Sequence, residues 1–306
     1  MEEAHAHLAR IPVFAGSTPD SWEVERLGGL TNRNYRVAAR GGQYVLRIPG
    51  EGTGEYIDRK AEEVNSRVAA EAGVSAEVLH FDVESGVQVT RFIPGAVTMS
   101  PERFKDLGAV ARAAQAFRRI HDCGRRFASE FELFGMMDDY LDLLNRKQAW
   151  VPDGYRAVQT EAERVRAALA RHPARRVPCH CDPLCENFLD TGQRMWIVDW
   201  EYAGNNDPMW DLGDLSVEAG FGPDQDEALL EAYFGGRPPA DQHGRMVMYK
   251  AMCDLLWTLW GAIQHANDNP VDDFEAYANT RFGRCRKLMG AAEFGRHLAA
   301  VERGPA

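Results

Sequence analysis

Asp182, Asn187 and Asp199 place the tightest condition on how this chain can fold, because their side chains make chemical sense only together. Asp182 and Asn187 lie in His180-Cys181-Asp182-Pro183-Leu184-Cys185-Glu186-Asn187, and Asp199 ends the apolar run Trp196-Ile197-Val198-Asp199. Between them, short strands near 188–189 and 195–198 flank Thr191-Gly192-Gln193, which reads as a hairpin turn. Such a hairpin carries Asn187 at one end and Asp199 at the other. The two then converge without a long loop.

A converging carboxylate, amide and second carboxylate offer oxygen ligands to a divalent cation and an acceptor for a proton. Phosphoryl transfer needs that combination, because the moving group is strongly anionic and catalysis is mostly clamping and positioning. In this reading Asp182 takes or orients the proton of an attacking hydroxyl, and Asn187 and Asp199 hold Mg²⁺ against the phosphates of ATP. His-x-Asp-x-x-x-x-Asn followed by a metal-binding Asp is also the order of the protein-kinase catalytic loop. A metal site made of Cys179, Cys181 and Cys185 with His180 competes weakly, since the spacing is not a paired Cys-x-x-Cys.

The rest of the chain divides in two. The first third is strand-rich, with expected strands at 22–27, 34–39, 44–48, 77–82 and 87–92 and one helix at 58–72 that Gly73 ends. From Pro101 onward helices are expected at 101–123, 138–150, 155–171, 207–219, 225–234, 244–265 and 272–289. This predicts an α+β chain with a strand-rich lobe at 1–94 and a mainly helical lobe at 95–306, the change falling near Phe92-Ile93-Pro94-Gly95. The net charge of −11 leaves no basic footprint for nucleic acid. No apolar run is long enough to insert in a membrane, and the first ten residues carry no export signal. A cytoplasmic protein with reduced thiols is expected.

Other residues fit the same chemistry. Leu27-Gly28-Gly29-Leu30-Thr31-Asn32 lies between two expected strands and reads either as a loop that approaches phosphates or as a plain hairpin turn. Arg47 is a charge inside the apolar strand Tyr44-Val45-Leu46-Arg47-Ile48, where it needs a partner, and Glu62 on the next helix is the candidate. Arg59, Lys60 and Glu63 are expected on the solvated face. Trp257 and Trp260 share one helical face, either as core or as walls of a cage for a quaternary ammonium, with Tyr277 as a third wall and Glu218 as counter-charge. His121 ends an apolar helix and is expected to be structural.

With these motifs in view, the chain resembles the choline/ethanolamine kinase family, within the aminoglycoside phosphotransferase group of protein-kinase-like folds. The likeness runs from about Leu27 to Phe282 and is most specific in Ile197-Val198-Asp199-Trp200-Glu201-Tyr202-Ala203-Gly204-Asn205-Asn206-Asp207-Pro208. It implies a two-lobed kinase-like fold with ATP and Mg²⁺ in the cleft. It implies that Gly28, Gly29, Thr31 and Asn32 form the nucleotide loop, with Arg47 and Glu62 the strand arginine and its helix carboxylate. Phe92 and Ile93 would meet the adenine. Glu201, Asp211, Glu218, Trp257, Trp260 and Tyr277 would line the substrate pocket. Little of the segment 125–176 matches, so the resemblance does not extend to the lid side of the pocket. The implied reaction is phosphorylation of a small cationic alcohol, choline first, with ethanolamine, thiamine or an aminoglycoside as alternatives. A catalytically dead amine-binding pseudokinase is the competing class. Relatives of this kind also allow a homodimer and a partner enzyme that consumes phosphocholine.

Overall fold

The computed structural model describes residues 2–28, 32–50, 53–55 and 57–305. Strands β1 (Glu23–Arg26), β2 (Arg33–Ala39), β3 (Gly42–Ile48), β4 (Val78–Phe81) and β5 (Gln88–Arg91) form an antiparallel sheet in the order β1-β2-β3-β5-β4. Alternation sets its faces: Tyr35, Val37 and Ala39 of β2 are buried, and the residues between them are not. They pack with Leu46, Ile48 and Val89 against helix α1 (Glu2–Leu8), which contributes Ala4 and Leu8. Neither α1 nor the last helix is anticipated by the sequence reading.

Helix α2 (Arg59–Glu71) starts where Asp58 caps it, accepting from the backbone N–H groups of Lys60 and Ala61. Val68 and Ala69 of α2, with Val74 just beyond, belong to the larger core of the helical region. The helix therefore joins the two halves.

The helical region comprises α3 (Leu107–His121), α4 (Leu133–Arg146), α5 (Tyr155–Arg171), α6 (Pro208–Glu218), α7 (Pro223–Phe234), α8 (Ala240–Ala266), α9 (Phe274–Met289) and α10 (Ala292–Arg303). Two expectations are corrected. The helix expected from 101 begins at Leu107, because Asp106 adopts extended backbone and caps Gly108 N–H at 2.9 Å. The helix expected at 138–150 runs from Leu133, since Leu133, Met137, Leu141 and Leu144 make its buried stripe. Among the described residues no helix is long and apolar enough to cross a membrane.

Five small strands follow the sheet: β6 (Val97–Thr98), β7 (Val177–Cys179), β8 (Phe188–Asp190), β9 (Met195–Ile197) and β10 (Gly204–Asn206). The expected hairpin forms, with β8 and β9 antiparallel and Phe188 opposite Ile197. β7 pairs with β10, placing Cys179 opposite Gly204. Only glycine fits at 204, since a Cβ there would lie 2.9 Å from the Phe131 backbone nitrogen.

Asp207 follows β10 and caps α6 through Met209 N–H at 2.9 Å. Its Oδ2 also accepts from Arg245 Nε at 2.6 Å and from the Tyr249 hydroxyl at 3.0 Å, and both carboxylate and guanidinium are buried. Asp207→Ala is expected to reduce the unfolding free energy by about 3–5 kcal/mol, because it strands the Arg245 charge. Urea denaturation measures this, and a loss below about 1 kcal/mol would show that Arg245 finds another partner.

Candidate active site

Asp182 and Asp199 are each introduced by unusual backbone. Cys181, just before Asp182, and Asp199 itself both have φ of +67°, a region that non-glycine residues seldom enter. Cys181 is held there by its burial and by Asp211, whose two carboxylate oxygens accept from the backbone N–H groups of His180 at 2.8 Å and Cys181 at 2.9 Å. His180 is buried, which lowers its pKa, and its Nε2 donates to the Val198 carbonyl at 2.9 Å. That bond ties the Asp182 loop to the Asp199 loop. Asn187 Nδ2 donates to the Asp182 carbonyl at 3.0 Å, which leaves its amide oxygen as the atom for a cation.

Arg47 and Glu62 form the expected pair, with both side chains buried. Arg47 also donates from NH1 to Asp199 Oδ1 at 2.9 Å, and Asn32 donates to Asp199 Oδ2 at 3.0 Å. Two residues of the strand lobe thus grip the acid that ends the hairpin. Burial alone would lower the Arg47 pKa, but Glu62, Asp199 and Glu201 outweigh it and raise it. Arg47 Nε and Asn32 Oδ1 are buried without partners among the described residues.

Arg59 corrects the sequence reading. It is buried rather than solvated, and it reaches Glu62 at 2.6 Å, Glu201 at 3.3 Å and the Thr53 hydroxyl at 2.6 Å. Glu201 is corrected with it. Its carboxylate lies with Glu62 and Asp199, all within 4.8 Å of one another, among the groups that could hold a cation. Burial and then the Asp199 charge push the Glu201 carboxyl up to about 7. Asp199, Glu201 and the Asn187 amide are hard oxygen donors of the kind that suits Mg²⁺.

Asp211 is the third correction. It is fully buried, and besides the two backbone N–H groups it meets His121 Nε2 at 3.0 Å. No face of it is open to a substrate. His121 stacks on Phe117 and is hydrogen-bonded to Tyr233, so it is structural, as expected. The cysteines make no metal site with His180 among the described residues. All six are free thiols, and burial pushes Cys179 and Cys181 well above the usual range.

The other half of the cleft is aromatic and acidic. Trp257 meets Trp260 edge-on at 6.2 Å and Tyr202 at 5.9 Å, and Trp260 meets Tyr277 at 5.7 Å. α8 and α9 approach this closely because residue 261 is glycine: a Cβ there would fall 2.7 Å from the Tyr277 ring. Glu218 stands at the end of α6, with its Oε1 2.7 Å from Arg281, whose guanidinium also lies 4.7 Å over the Tyr277 ring. Arg281 was not anticipated, although its position one turn after Tyr277 on a helix is a usable signal.

Asp182 lies between the two halves. Burial raises its carboxyl well above the usual range, Glu218, Asp199 and Glu201 add to this, and Arg281 opposes it. A carboxylate at neutral pH is the sequence expectation. Burial and the neighbouring acids work against that charge.

Gly28 closes the loop after β1 by accepting from Asn34 Nδ2 at 3.2 Å; Gly29 and Thr31 lie outside the described residues. Phe92 and Ile93 are half-buried and line one cavity with Ser75, Val78, Pro94 and Trp196. Neither Arg47 nor Asp182 lines it.

The model of the phosphotransferase enzyme family (APH) matches residues 23–243. Among solved structures, the chain is similar to a choline/ethanolamine kinase family protein from Mesorhizobium loti, with 59% identity, a TM-score of 0.91 and 99% of each chain covered. It is also similar to the choline kinase LicA from Streptococcus pneumoniae, with 28% identity, a TM-score of 0.77, and 94% of this chain and 99% of that one covered. Protein LicA from Haemophilus influenzae is 28% identical over 274 residues, covering 86% of this chain and 78% of the relative.

Proposed function

This chain belongs to the phosphotransferase enzyme family, and within it to the choline/ethanolamine kinase family, as an ATP-dependent phosphotransferase acting on an alcohol; we propose that the alcohol is choline and the product phosphocholine. The observation that carries this reading is the edge-to-face run Tyr202, Trp257, Trp260 and Tyr277 beside Glu218. A quaternary ammonium has no N–H to donate, so ring faces are the natural way to hold it. The name of the pneumococcal relative, a choline kinase, adds support.

In the proposed mechanism Asp182 accepts the proton of the substrate hydroxyl. The hydroxyl oxygen bonds to the terminal phosphorus, the bond from that phosphorus to the bridging oxygen breaks, and ADP leaves. Arg47, held by Glu62, aligns the phosphates, and its unpartnered Nε is a donor in reserve. Asn32 of the nucleotide loop holds Asp199. Asn187, Asp199 and Glu201 would hold Mg²⁺, which when bound neutralises phosphate charge. Phe92 and Ile93, at the exit from the sheet, receive the adenine.

A coupled ATP-consumption assay with Mg²⁺ on choline, ethanolamine, thiamine and kanamycin tests the reading. Choline is expected to support turnover. Trp260→Ala is expected to raise the KM for choline roughly two- to thirtyfold, the range that one cation–π contact of about 0.5–2 kcal/mol allows. Trp260 is partly exposed, so the truncation leaves less of a core defect than at Trp257. Turnover of kanamycin or thiamine without choline would remove choline and keep the phosphotransferase.

A further inference from the structure

Glu62 has two carboxylate oxygens, and each holds a different arginine. Oε1 accepts from Arg47 NH2, and Oε2 accepts from Arg59 NH1 at 2.6 Å. Each arginine then reaches one further acid. Arg47 donates from NH1 to Asp199 Oδ1 at 2.9 Å, and Arg59 donates from NH1 to Glu201 Oε2 at 3.3 Å. Two arms thus leave one buried carboxylate, and they end on the two acids that the proposed function gives to Mg²⁺.

The second arm is fixed along its length. Arg59 NH2 donates to the Thr53 hydroxyl at 2.6 Å, and that hydroxyl donates in turn to the Gly50 carbonyl at 2.8 Å. The turn before β5 packs against the same side chain: residue 86 has φ of +71°, and a Cβ there would fall 2.7 Å from Arg59 Nε. Glu201 depends on this arm. Among the described residues its side chain hydrogen-bonds to Arg59 and to no other group. Its carboxylate nevertheless lies with those of Glu62 and Asp199, within 4.8 Å. Three acids so close repel one another, and the two arginines offset two of the three charges.

We propose that Arg59 is a positioning residue for the metal site: it acts through Glu201, keeping that carboxylate among the ligands of Mg²⁺ as Arg47 keeps Asp199. The inference rests on the reading of Asn187, Asp199 and Glu201 as those ligands. A partner one step behind a metal ligand fixes its orientation, and losing it costs roughly 10- to 100-fold in metal affinity. A guanidinium suits the place because its planar fork reaches Glu62, Glu201 and Thr53 together, as an ammonium cannot.

The test is Mn²⁺ binding to the full chain with ADP present, followed by electron paramagnetic resonance. Wild type is compared with Arg59→Lys, Glu201→Gln and the double variant, with thermal midpoints to confirm folding. Arg59→Lys keeps the charge, so its effect reports geometry. It is expected to weaken Mn²⁺ binding roughly tenfold or more in the wild-type background, but less than about twofold beside Glu201→Gln. Thr53→Val frees the other end of the guanidinium and leaves Arg59 in place. It is expected to weaken binding in the same Glu201-dependent way, and it decides the matter if Arg59→Lys unfolds. Unchanged binding in the folded variant, or equal losses in both backgrounds, would overturn the proposal and leave the metal site standing. Equal binding by wild type and Glu201→Gln would instead remove Glu201 from the metal site, and the role of Arg59 with it.

Discussion

Asp182→Asn is expected to cut choline-dependent ATP consumption by roughly 10²- to 10⁴-fold, the range over which a positioned proton acceptor contributes. The change removes the charge and the basicity while keeping shape. The loop around it is fixed from other directions: Asp211 holds the two preceding N–H groups, His180 holds Val198, and Asn187 binds the Asp182 main-chain carbonyl, which the substitution leaves in place. Amine binding, followed by tryptophan fluorescence, is therefore expected to survive. Equal slow turnover in mutant and wild type would defeat the assignment of Asp182 and favour an amine-binding pseudokinase.

The second large effect is expected at Arg47. Arg47→Ala removes a cation that touches Glu62 and Asp199, and on the proposed role in aligning the phosphates kcat should fall roughly 10²- to 10³-fold, as when one preorganised donor is lost. Arg59 still pairs with Glu62 at 2.6 Å, so Glu62 is not left alone and the fold should persist. Arg47→Lys is expected to recover only part of the rate, because an ammonium cannot span both carboxylates as a guanidinium fork does. Steady-state kinetics with varied ATP, beside thermal unfolding, separates the chemistry from stability. An Arg47→Ala enzyme with wild-type kcat/KM for ATP would show that Arg59 or Asn32 holds the phosphates instead.

Several parts of this picture were legible in the chain because short-range physics writes them. The Asn187–Asp199 hairpin follows from a turn between two apolar runs. The Arg47–Glu62 pair follows from the cost of a lone charge in an apolar strand, and Asp58 and Asp207 are recognisable caps. The misses are residues whose role depends on distant chain. Arg59 looked solvated because its partners Glu201 and Thr53 are invisible in a helical projection. Asp211 was expected beside substrate because the family resemblance matches it to a pocket-lining position, yet the loop at 180–181 folds onto it and uses up its oxygens. α1 is short and buries just Ala4 and Leu8, too little for a periodic signal.

One helix, α6, anchors both ends of the reaction. Asp211, near its start, locks the backbone that presents Asp182, while Glu218, at its end, pairs with Arg281 beside the Tyr277 ring. Two turns of helix, about 10 Å of rigid rise, act as a gauge block between the loop of the proposed proton acceptor and the acid proposed to meet the head. Under the proposed function, variation at 218, 257 or 260 is expected to retune which head is welcome without resetting the loop that Asp211 holds. Spacing is inherited from the helix, and taste is written in the side chains along it.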